Sequence, residues 1–154
     1  MGIKIVARNR KANFEYFLLD RYEAGLELKG SEIKSLRAGK ISITEAYVSI
    51  EGKQAWLMES HIAPYETASY YNHEPKRNRR LLLHKKEILE IWNLIRQKGV
   101  TVIPTMVYLK DSRAKVEIAV AKGKKLYDKR QSIADKDQER ELGRNQKQGK
   151  DSYD

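Results

Sequence analysis

A mainly β body with short helices, followed by a tail without a core, is the fold the sequence predicts. Three observations predict it. Apolar and polar residues alternate along residues 16–28, the period of a half-buried strand. Two further pairs of apolar runs, within 47–58 and 100–121, each flank a short polar stretch, as hairpins do. Apolar residues then nearly vanish: residues 131–154 hold only Ile133, Ala134, Leu142 and Tyr153. Such a segment buries too little surface to offset chain entropy.

In the first strand Tyr16, Leu18, Tyr22, Ala24, Leu26 and Leu28 form one alternate set, and Arg21, Glu23, Gly25 and Glu27 the other. Gly25 is expected to mark a bulge or bend. Ser31 can cap a short helix that ends at Gly39, with Ile33 and Leu36 turned inward. Lys34 and Arg37, three residues apart, then project from one exposed side. A first hairpin joins 47–50 to 55–58 through 51–54. Most of Leu81-Leu82-Leu83 reads as a core strand. A longer helix covers 85–98 and stops at Gly99, with Ile88, Ile91, Trp92 and Ile95 on its buried stripe. A second hairpin joins 100–110 to 115–121 through 111–113, with Val116, Ile118 and Val120 on one face. Short strands, two hairpins and two helices suggest a small antiparallel β-barrel of the oligonucleotide-binding type. The expected division is a body of residues 1–121 and a tail of residues 122–154.

The net charge of +10 points to a polyanionic partner: RNA, DNA or an anionic membrane face. The chain has no cysteine, which excludes disulfides and thiolate chemistry and suits a reducing cytoplasm. No apolar run reaches membrane-spanning length. Enzyme signatures are poor. His61, His73 and His84 lack metal-ligand spacing, and no phosphate-cradling loop or nucleophile elbow occurs. No catalytic residue, metal or cofactor is therefore expected.

Charge gathers in two places. Residues 75–86 contain Lys76, Arg77, Arg79, Arg80, Lys85 and Lys86 and no acid. Such density suits phosphate contact, and arginine adds a planar fork and a stacking face. Tyr65, Tyr70 and Tyr71 precede this run and could stack on unpaired bases. The second place is the junction at 119–130. There Lys122, Lys124, Lys125, Lys129 and Arg130 sit against Asp128. Farther on the charge is mixed: residues 131–154 carry five cations and six anions, which weakens a purely electrostatic role for the distal tail. Residues 133–142 are rich in helix formers, so the tail is expected to be disordered alone and helical on a partner.

Particular blocks carry a family likeness: Asn9-Arg10-Lys11-Ala12, Glu15-Tyr16-Phe17, the run from Tyr22-Glu23-Ala24-Gly25 to Arg37-Ala38-Gly39-Lys40, Ile62-Ala63-Pro64-Tyr65, the run 75–84, and the junction 120–130. In this order they resemble the SsrA-binding protein (small protein B) family. The resemblance implies a non-enzymatic RNA-binding protein of trans-translation. It would bind the tRNA-like domain of transfer-messenger RNA and escort it to stalled ribosomes. Its tail would occupy the vacant mRNA channel near the small-subunit decoding centre, against ribosomal RNA. Elongation factor Tu and alanyl-tRNA synthetase would be partners through the shared RNA. The resemblance also implies that Asn9, Glu23 and Leu82 face the RNA, although periodicity alone makes Glu23 an ordinary surface residue. Lys11, Lys34, Arg37, Lys40, Tyr65, Lys76, Arg77, Arg79, Arg80, Lys122, Lys124 and Lys125 join the expected RNA-binding set. Tyr127, Asp128, Lys129 and Arg130 match the ribosome-contacting tail. One departure is Phe14, where many relatives carry histidine; stacking survives that exchange and hydrogen bonding does not.

Overall fold

The computed structural model describes residues 2–65 and 73–123. Along the chain these form β1 (Ile3–Arg8), α1 (Ala12–Glu15), β2 (Tyr16–Leu26), α2 (Gly30–Arg37), β3 (Ile41–Ser42), β4 (Tyr47–Glu51), β5 (Gln54–Met58), β6 (His61–Ile62), β7 (Arg79–Leu82), α3 (Lys85–Ile95), β8 (Val100–Lys110) and β9 (Arg113–Gly123). Seven strands make one antiparallel sheet in the order β1-β8-β9-β2-β7-β5-β4, and β3 pairs with β6 separately. β4 returns to lie near β8 with no ladder between them. The sheet thus curls as a barrel does but is not sealed by hydrogen bonds at that seam.

Both expected hairpins form, with tighter turns than the polar stretches suggested. Glu51 pairs with Gln54, leaving Gly52 and Lys53 as a two-residue loop with φ of 59° and 64°. Lys110 pairs with Arg113 around Asp111 and Ser112, at 51° and 67°. Two positive φ angles in a row define the turn whose twist matches that of the flanking strands.

β2 departs from the expected single alternation. Leu18 pairs with Ala121 but Arg21 pairs with Ala119, so one extra residue is inserted between them. A one-residue slip moves every later side chain to the other face. Tyr16 and Leu18 therefore pack with Ala12, Ile103 and Ala121 in a small second core. Tyr22, Ala24 and Leu26 face the main core with Leu57, Leu81, Ile91, Val107, Val116 and Ile118. The bulge lies at this slip and not at Gly25. Related slips occur in β1 between Ile5 and Ala7, and in β8 between Pro104 and Met106.

The helices also differ in detail. Ser31 lies in the first turn of α2, not before it. Glu32 does the capping there, accepting the Lys29 backbone N–H at 2.7 Å. Gly39 closes the helix region with φ of 77°. α3 stops at Ile95 rather than at residue 98, and Trp92 stands 42% exposed, off the buried stripe. The Arg96 guanidinium lies 4.4 Å from its ring centroid.

Candidate nucleic-acid interface

Strand register sets out one outer face. Ile5 pairs with Tyr108, Tyr108 with Lys115, Lys115 with Gly25 and Gly25 with Leu82. Cross-strand partners project from the same side, so this row crosses five strands. Two residues along each strand, Glu23, Glu117 and Arg80 belong to the same side, and Trp56 of β5 pairs with Arg80. Leu82 is 48% exposed, an unusual surface for a leucine between Leu81, which is buried, and Leu83, which is half-buried. It lies directly over Gly25: a Cβ added there would stand 3.2 Å from the Leu82 Cβ. The bare glycine backbone is what lets the leucine lean across β2.

Glu23 sits two residues from Gly25 on this face. The Tyr108 hydroxyl donates to its Oε2, and the Lys110 Nζ lies 3.6 Å from its Oε1. The Tyr108 bond holds the Glu23 carboxyl below its ordinary range; burial opposes this, and Lys110 and Lys115 reinforce it. Burial pushes the Tyr108 hydroxyl up, and Glu23 adds to the rise, so the tyrosine remains a donor. Tyr108 itself is buried.

Asn9 is also buried, held at the β8 bulge. Its backbone N–H donates to the Thr105 carbonyl at 2.9 Å, and its Nδ2 to the Pro104 carbonyl at 3.1 Å. Its Oδ1 has no partner among the described residues. Two clefts, of about 420 and 480 Å³, both border it. Thr105 donates to Glu117, which also pairs with Arg21 at 3.0 Å, so the bulge is tied to β9 and β2.

The basic run is divided by strand parity. Leu81 faces inward, so Arg79 does too, while Arg80 and Leu82 face outward. The expectation that Arg79 meets phosphate is corrected here: its side chain is 0% exposed. Its guanidinium contacts Glu32 Oε2 at 2.7 Å and donates to the Ser60, Arg77 and Pro75 carbonyls. Arg77 joins it on Glu32 at 2.7 Å and remains partly exposed. Burial pushes the Glu32 carboxyl up, but donation from Arg77, the Lys29 N–H and Arg79 outweighs it, leaving a pKa of about 2. Nearby His73 is buried between the Ser31 Oγ at 2.9 Å and the Ile62 carbonyl at 2.8 Å, so it braces the same region. Lys76 is exposed, 3.9 Å from Glu59.

Lys11, Lys34, Arg37 and Lys40 are all exposed. The Lys34 ammonium lies 5.5 Å from the Tyr65 ring centroid. Lys122 is exposed and sits within β9, paired with Phe17 and Val100. Lys124, Lys125, Tyr127, Asp128, Lys129 and Arg130, with Tyr70 and Tyr71, lie outside the described residues. Sequence reasoning missed three residues of the site. Tyr108 and Glu117 read as ordinary strand residues. Glu32 read only as part of a helix, and its arginine partners lie 45 and 47 positions away. Among the described residues no cluster of histidine and acidic side chains could hold a metal ion. No helix among them is long and apolar enough to cross a membrane.

A family model described as SmpB protein matches residues 6–148. The chain belongs to the SmpB family. It is 55% identical to the SsrA-binding protein of Desulforudis audaxviator over 141 residues, 92% of each chain. To the SsrA-binding protein of Pelotomaculum thermopropionicum it is 50% identical over 144 residues, 94% of each. It is also similar to a chain of a solved structure described as "tmRNA-SmpB: a journey to the center of the bacterial ribosome", with a TM-score of 0.68 and 43% identity over 80% of this chain and 86% of that one. The SmpB likeness read from the sequence blocks is thus the family that matches.

Proposed function

We propose that this protein binds transfer-messenger RNA at its tRNA-like domain and delivers it to stalled ribosomes in trans-translation, without catalysing a reaction itself. One observation carries the reading: a SsrA-binding protein is 55% identical to this chain across nearly all of both. The outer sheet face supplies a physical basis. Leu82 offers an apolar contact for an unstacked base, Glu23 an acceptor, and Arg80 and Lys115 positive charge. RNA recognition relies on such stacking, edge and backbone contacts. Asn9, Lys11, Lys34, Arg37, Lys40, Tyr65, Lys76, Arg77 and Lys122 extend this set. Lys124 and Lys125 begin the tail, and Tyr127, Asp128, Lys129 and Arg130 act in the mRNA channel near the decoding centre. Elongation factor Tu and alanyl-tRNA synthetase meet the protein through the shared RNA, in the cytoplasm.

The test compares affinity for a transcript of the tRNA-like domain with that for an unrelated hairpin of equal length. A clear preference for the former is expected; equal affinity would sink the reading.

A further inference from the structure

Glu23 is a long side chain on an exposed strand surface, 41% accessible. Left alone, it would sample several rotamers, and ordering it on binding would cost conformational entropy. Lys110 and Lys115 on the neighbouring strands would also draw it into shifting ion pairs. Tyr108 removes that freedom. Its ring is buried in β8 with 6% exposure, and a tyrosine has few torsions to vary. Its hydroxyl is therefore fixed in space, and it donates to Glu23 Oε2 across β9.

We infer that Tyr108 is a positioning residue for RNA recognition: it locks Glu23 in one orientation as a pure acceptor, aimed at an N–H or O–H donor of the RNA. The inference rests on the reading that Glu23 contacts transfer-messenger RNA. A carboxylate offers about four acceptor directions. Tyr108 takes one on Oε2, and Lys110 stands at the long distance of 3.6 Å from Oε1. Acceptor capacity remains on both oxygens. A base amino group or a ribose 2′-hydroxyl satisfies it; a phosphate or a base carbonyl, both acceptors, is repelled. Glu23 thereby works as a filter set among cations that would otherwise take any phosphate. Tyr108 touches no RNA in this scheme and acts through Glu23.

The experiment is a double-mutant cycle on the full chain. Wild type, Tyr108→Phe, Glu23→Ala and the double variant are titrated with a transcript of the tRNA-like domain at fixed salt. Thermal melting of each confirms the fold. Tyr108→Phe is expected to weaken binding roughly tenfold, the scale of one hydrogen bond to a charged group. In the Glu23→Ala background it should change nothing further. A purely structural tyrosine would cost the same in both backgrounds, and that result would overturn the inference. So would wild-type affinity in Tyr108→Phe alongside weakened Glu23→Ala, which would leave the Glu23 reading standing. Wild-type affinity in Glu23→Ala would instead remove the reading beneath. Repeating the cycle with a 2′-deoxy probe identifies the donor: coupling that persists assigns it to a base amino group, and coupling that disappears assigns it to ribose.

Discussion

With its carboxylate fully buried, Glu32 accepts hydrogen bonds from Arg77, Arg79 and the Lys29 backbone, and neutral substitution strands two cations. Breaking a buried pair costs about 3–5 kcal/mol. Glu32→Ala is therefore expected to lower stability by about that much in urea or thermal unfolding. The carboxyl falls from 4.5 to about 2 on folding, so the stability it contributes is complete above pH 4.5 and is lost as pH falls towards 2. Glu32→Gln should remove that acid-induced loss from the pH profile. Gly25 acts on the opposite face. Gly25→Ala would place a methyl 3.2 Å from the Leu82 Cβ. The expected outcome is a loss of about 1 kcal/mol, the low end for overpacking because Leu82 is exposed and can shift, with RNA affinity reduced nearly as much as in Leu82→Ala. Parallel titrations check this; unaltered affinity in Gly25→Ala would separate the two residues. At this scale the sequence was legible where motif and phase agree. Leu82 stood out only through its family likeness. The inward turn of Arg79 was implied by its phase with Leu81, but its dense cationic neighbourhood masked that. Glu32 was not legible, because its partners are brought together by the fold and not by spacing.

Strands and helices were legible in proportion to their length and period. β2, β4, β5, β8, β9, α2 and α3 all lie where alternation or the helical stripe placed them, with ends shifted by a few residues. β1 and α1 were not expected: β1 pairs only with β8, its alternating Ile3 and Ile5 stay exposed, and the residues that meet the core are the adjacent Val6 and Ala7, brought inward across the bulge. The bulge in β2 was invisible because Tyr16, Leu18 and Tyr22 look like one set until register divides them. The two turns give a prediction at this scale. Ser112 holds φ of 67°, which an L side chain adopts at a cost, whereas Asp-Gly suits this turn. Ser112→Gly is expected to raise stability by about 0.5–1 kcal/mol in thermal melting, the gain being trimmed by added unfolded-state entropy. A lowered melting point would contradict the turn assignment.

For the whole molecule, the cations of residues 75–86 overstate what can meet RNA, because Arg79 is buried on Glu32 and Arg77 is engaged there too. Neutralising a cation that touches phosphate should flatten the plot of log affinity against log salt by about one unit. Arg80→Gln is expected to do so. Arg79→Met, with its guanidinium inside, should lower stability and leave the slope unchanged. An equal effect on both slopes would mean that the buried cluster opens on binding. The proposed division of labour is tested by truncation after Gly123, where β9 ends. The shortened chain should keep its RNA affinity within a few-fold and lose peptide tagging on stalled ribosomes. The Glu32 joint also bears on how the chain reaches this state. It unites α2 with the entry to β7 and with Ser60 just beyond β5, so it can close only after three separate parts of the chain have docked. It is therefore expected to form late on the folding route. Ser60→Ala should accordingly hasten unfolding while leaving the refolding rate nearly untouched in stopped-flow traces. On that expectation the internal clasp sets the lifetime of the proposed RNA-binding face more than the speed with which it first assembles.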